Sequence, residues 1–85
     1  MSEIIFKQRW KEELEAISDE RKLVFELTLG TLHVYFPSEV RWLAIVPAWA
    51  KEKWQLYLEA CTDWCKQNKI PISVVEDAYV YEEKM

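Results

Sequence analysis

Eighty-five residues suffice for one small domain, expected to span 1–85. With 51% hydrophobic and 14% aromatic residues, one glycine and three prolines, the chain is too apolar to stay disordered. Fifteen acids against eleven bases give a formal charge of −4, which disfavours nucleic acid and an anionic membrane as partners.

Ser2 is a candidate helix cap, and Phe6, Trp10, Leu14 and Ile17 recur at helical spacing. A first helix is therefore predicted over 6–18, with an extended start over residues 3–7 as the rival reading. Ser18, Asp19, Glu20 and Arg21 form the turn that ends it. Residues 22–36 alternate strongly and read as a β-hairpin, with strands 22–29 and 32–36. Gly30-Thr31 between them is a two-residue loop with glycine first, the type II′ signature. The implied register pairs Leu29 with Leu32, Leu27 with Val34 and Phe25 with Phe36 on the core face. Glu26 then faces Tyr35, and Thr28 faces His33, on the other side.

Pro37-Ser38-Glu39 reads as a turn into a third strand, 40–46, with Leu43 and Ile45 on the core face and Trp42 beside Tyr35 on the outer face. A register one residue different puts Trp42 in the core instead. The uniformly apolar residues 42–46 predict that both sides of this segment are covered, by a central position or a dimer contact. Pro47 opens a long helix, 48–68. Trp54, Tyr57, Leu58, Cys61, Trp64 and Cys65 form its apolar stripe, and Lys51, Glu52, Gln55, Glu59, Asp63 and Lys66 its polar side. Residues 72–81 read as a last strand, interrupted at Glu76-Asp77 by a bulge or tight bend. The expected fold is of the α+β class: a two-layer α/β sandwich of order α-β-β-β-α-β. Its three-strand antiparallel meander receives the C-terminal strand by crossover, and both helices lie on one face.

The start MSEIIFKQRW lacks a signal-peptide pattern, and the longest uncharged run, 42–50, is too short to span a membrane. Cys61 and Cys65, four apart on one helix face, are poorly placed to close a useful disulfide loop. A cytoplasmic, reducing setting and no membrane contact are the expectation.

Catalytic chemistry has little to work with. His33 is the one histidine; the hydroxyls near it, Thr28 and Tyr35, belong to the same ribbon, and no acid at a suitable spacing completes a triad. Cys61 and Cys65 lack a second ligand pair for a metal. The single glycine, already placed in the hairpin, leaves no phosphate-cradling loop. No catalytic, cofactor or metal residue is assigned, and the expectation leans away from an enzyme.

The predicted order α-β-β-β-α resembles, as topology alone, that of double-stranded-RNA-binding domains. The resemblance implies a lysine cluster opening the second helix. Here that stretch reads Ala48-Trp49-Ala50-Lys51-Glu52-Lys53, where the two lysines flank an acid and diverge. Nucleic-acid binding is kept as the weakest alternative.

Five tryptophans and four tyrosines exceed what so small a core hides easily, and a two-layer domain leaves one sheet face bare. Tyr35, Trp42, His33 and Trp49 are the candidate interface, for a protein partner or a homodimer. The alternative is a ligand-binding or catalytic pocket between sheet and helix, around Trp49, Trp54 and His33.

Overall fold

Alternating apolar residues build one six-stranded mixed sheet in the computed structural model, which describes residues 4–9, 12–19, 21–28 and 31–83. In chain order come β1 (Ile5–Arg9), β2 (Glu13–Ser18), β3 (Arg21–Thr28), β4 (His33–Pro37), α1 (Glu39–Ile45), a 3-10 segment (Ala48–Lys53), α2 (Trp54–Asn68), β5 (Ile72–Val75) and β6 (Val80–Glu83). The sheet runs β1-β2-β3-β4-β5, with β6 also on β3. β3 is the hub: β2 pairs along one edge, while β4 and β6 share the other. β5 lies parallel to β4, so the helical segments between them are a crossover connection.

Phe6, Leu14, Ala16, Leu23, Phe25, Leu27, Val34, Phe36 and Val80 are buried from one sheet face against Trp42, Val46, Ala50, Tyr57, Cys61 and Cys65. The ring of Phe25 stacks on Phe36 at 5.1 Å and on Trp42 at 6.2 Å, with Phe6 and Tyr57 also beside it. The expected α+β class and two-layer sandwich with helices on one face are therefore what the chain forms. Within that frame, several elements differ from expectation.

The helix predicted over 6–18 is a β-hairpin. Phe6 pairs with Ala16 and Gln8 with Leu14, so Phe6, Leu14 and Ala16 reach the core by alternation rather than by helical spacing. As strands these residues extend the sheet beyond β3, whose edge a helix would leave unpaired. The connecting turn bends at Glu12, with φ at 62°, where glycine or asparagine is usual. That atypical turn residue removes the hairpin signal from the sequence. Trp10 lies outside the described residues. The chain also turns after Ser18, which lies opposite Arg21, with Asp19 at φ 51°, but this turn joins β2 to β3 instead of ending a helix; Glu20 lies outside the described residues.

The second hairpin keeps the predicted register, with Leu27 opposite Val34, Glu26 opposite Tyr35 and Thr28 opposite His33. Leu29 and Gly30 lie outside the described residues. Phe25 and Phe36 do not continue that ladder, because Phe25 pairs with Val80 of β6 instead.

The third strand predicted over 40–46 is the helix α1. Ser38 caps it, its Oγ accepting the Arg41 N–H at 3.3 Å. With that donor satisfied, a helix can present Trp42 inward and Val40 and Leu43 outward, which strand alternation cannot do. Trp42 is completely buried and donates its Nε1–H to the Ala50 carbonyl at 2.8 Å. Val40, by contrast, is 80% exposed. Replacing Ser38 by Ala is expected to cost about 1 kcal/mol of stability, read as a lower denaturant midpoint with unchanged slope.

The long helix begins as a 3-10 turn and becomes α-helical at Trp54. Its predicted stripe is the buried one: Tyr57, Cys61 and Cys65 are covered, with Trp54, Leu58 and Trp64 packed against them. Burial pushes the Tyr57 hydroxyl up. The contact with Cys65, reinforced by burial, pushes the Cys61 thiol up as well, so it stays neutral and packs as a small apolar group. The last strand divides at Glu76-Asp77 into parallel β5 and antiparallel β6, a sharper bend than the expected bulge. The observed order, β-β-β-β-α-α-β-β, is no longer that of a double-stranded-RNA-binding domain. Among the described residues, no helix is long and apolar enough to cross a membrane.

Candidate functional site

Strand alternation sends one set of side chains away from the helices, onto a sheet face that no element covers among the described residues. Glu26, Tyr35 and Ser73 form one row across β3, β4 and β5; Thr28 and His33 form the next. His33 stacks on Tyr35 at 4.6 Å with an interplanar angle of 21°, and its Nε2 lies 2.8 Å from Ser73 Oγ. That contact has the reach of a base and a nucleophile. Among the described residues, however, no carboxylate bonds the histidine to orient it as a triad requires. The three side chains tie two strands together and present a flat aromatic stack.

The other half of the face is an ion cluster. Arg9 forks onto Glu83 through Nη1 and Nη2, both at 2.8 Å, and bonds Glu13 at 2.8 Å and Glu15 at 2.9 Å. Lys22 adds contacts to Glu15 and Glu83. Hydrogen bonds from Arg9 hold the Glu83 carboxyl down to about 2, and the Tyr81 hydroxyl, donating at 2.7 Å, with Arg9 lowers that of Glu13. Arg9 is held still more firmly as a cation. Beneath these groups Val24 is fully buried although it points away from the helices. Its ladder partners are Glu15 and Tyr81, whose apolar stems shield it.

Tyr79 stacks on Tyr81 at 6.1 Å. Burial, then the fields of Glu26, Glu13 and Glu12, push its hydroxyl up. A cleft of ≈ 330 Å³ opens on this face between Glu26, Tyr35, Val75 and Asp77.

Of the four predicted interface residues, the sheet brings together His33 and Tyr35. Trp42 is a correction: its ring lies in the core because α1 replaces the strand expected there, so it is no part of any surface. Trp49 sits on the helix side, where its Nε1–H donates to Glu82 at 3.1 Å and the Arg21 guanidinium lies 4.8 Å over its ring. Trp54 donates to the Pro37 carbonyl at 3.0 Å. Trp49, Trp54 and His33 therefore do not converge on a pocket. The groove between β1 and α2, of ≈ 530 Å³, is lined instead by Ile4, Phe6, Trp64 and their neighbours.

Sequence reasoning passed over Ser73, Val75, Tyr79 and Tyr81, and read Asp77 only as part of a bulge or tight bend. Splitting residues 72–81 at Glu76-Asp77 would have placed Ser73 and Val75, two apart, on one face beside His33 and Tyr35. No three or more His, Cys, Asp and Glu residues among those described form a metal-holding group. Compared with models of known families, with curated proteins and with solved structures, the chain finds no match.

Proposed function

We propose that this chain is a non-enzymatic interaction domain that binds a protein partner through the uncovered face of its sheet. The observation that carries this reading is the His33–Tyr35 stack, anchored by Ser73 and half-exposed, with no covering element among the described residues. Rigid aromatic side chains of this kind lose little entropy when covered and supply large contact area. The ion cluster beside them contributes orientation and register more than affinity, since its members are already paired.

The test compares three versions of the protein: the natural chain, His33→Ser with Tyr35→Ser, and a control pair on the polar side of α2, Gln55→Ser with Glu59→Ser. Each is weighed by light scattering over a concentration series and used as bait for affinity capture. The face pair is expected to weaken self-association or partner capture by about tenfold or more, while the control pair leaves both unchanged. Mass and captured proteins that are the same in all three versions would overturn the proposal. A natural chain whose mass rises toward twice 10.2 kDa identifies the partner as a second copy.

A further inference from the structure

The cleft between Glu26, Tyr35, Val75 and Asp77 lies where β3 changes partners. Phe25 pairs with Val80 of β6, and the next residue, Glu26, pairs with Tyr35 of β4. Two strands that meet end to end along a third cannot close the ladder between them, and the gap is the cleft. His33 covers the side of Tyr35 toward the start of β4. The cleft lies toward the other end, where Val75 pairs with Pro37, so it meets the face of the Tyr35 ring that His33 leaves open. At ≈ 330 Å³ it is at the small end of ligand sites, suited to one long side chain rather than a cofactor.

Among the described residues its lining carries two acids and no base. Arg9 and Lys22 are engaged by Glu13, Glu15 and Glu83, Arg21 by Glu82, and Arg41 donates its Nε–H to the Ala78 carbonyl at 2.9 Å. Among the described residues no hydrogen bond or ion pair engages the carboxylate of Glu26 or of Asp77. The field of Glu26 also reaches Tyr79, where it helps push the hydroxyl up. Two carboxylates flanking an open aromatic ring complement a cation, and a guanidinium best. Its plane stacks on the ring while its several donors reach both acids.

We infer that the partner presents a basic segment that crosses this face and places an arginine side chain in the cleft between Glu26 and Asp77 against Tyr35. This rests on the proposed interaction role of the same face and names the class of partner.

The test is fluorescence-polarisation titration of the whole chain with three labelled short peptides, alternating threonine with arginine, lysine or glutamate, at low and physiological salt. The arginine peptide is expected to bind best, the lysine peptide more weakly and the glutamate peptide not at all. Glu26→Gln and Asp77→Asn, which keep the side-chain volume, and Tyr35→Leu, which removes the ring, should each weaken the arginine peptide about tenfold. Glu52→Gln and Glu59→Gln remove the same charge from the opposite side of the molecule and should change it less than about twofold. Equal weakening by both sets would reduce the binding to net-charge attraction and overturn the inference, as would no binding at low salt. Failure of the peptides while capture still depends on His33 and Tyr35 would remove the basic segment alone; face-independent capture would remove the interaction role too.

Discussion

Replacing Trp42 by alanine is expected to lower the unfolding free energy by about 3–5 kcal/mol. The ring is completely buried, contacts Phe25, Phe36 and Tyr57, and donates to the buried Ala50 residue's carbonyl. Its removal therefore opens a cavity at the centre of the aromatic cluster and also leaves that carbonyl without its donor. Trp42→Phe separates the two effects: most of the packing stays, and the loss falls to about 1–3 kcal/mol. Val40→Ser, two residues away on the exposed side of α1, should stay within about 0.5 kcal/mol. Urea titrations of the three variants measure all of this. If Trp42→Ala leaves too little folded protein to titrate, Trp42→Phe against Val40→Ser still decides the orientation of α1. Similar midpoints for those two variants would place Trp42 at the surface and contradict the helix.

The largest effect of solution conditions should come from acid. Glu83 is held down to about 2 by its fork with Arg9, and Glu13 is lowered by Tyr81 and Arg9, whereas an unfolded glutamate titrates near ~4.3. Because the folded pKa values are the lower ones, the unfolded chain takes up protons first as pH falls. The stabilisation is complete above the unfolded value and is lost between there and about 2. Denaturant midpoints should therefore be flat near neutral pH and drop across that acid window. Arg9→Gln should begin lower at neutral pH and show a shallower acid limb, because Glu83 loses the main cause of its lowered pKa, while Tyr81 still lowers Glu13. Added salt should shrink the difference, since these groups are partly exposed. Superimposed curves for the natural chain and the variant would mean that the Arg9 cluster contributes nothing to folding in water.

Local chemistry made two elements legible from residues alone. The hairpin 22–36 declared itself by strict alternation, and its register at Leu27–Val34 and Thr28–His33 followed from keeping apolar residues on one face. The stripe Tyr57, Cys61 and Cys65 declared α2 in the same way. Both patterns repeat often enough to exclude the other period. Of the candidate site, His33 and Tyr35 were legible because they belong to that hairpin. Glu26 was readable as the neighbour of Tyr35, but its partnership with Asp77 was not, since that depends on how β5, the turn and β6 meet β3.

The first hairpin and α1 are the opposite case. Phe6, Trp10, Leu14 and Ile17 fit a helix as well as Phe6, Leu14 and Ala16 fit two strands, and with Glu12 rather than glycine at the turn nothing local breaks the tie. Residues 40–46 are apolar enough for either structure, and only the Ser38 cap favours a helix. Composition, the hairpin and the α2 stripe thus determined an α+β sandwich with a bare sheet face. Where Trp42 goes and which acids stay unpaired were decided by tertiary structure, because short ambiguous segments settle by whichever conformation lets the whole sheet pair and the whole core close.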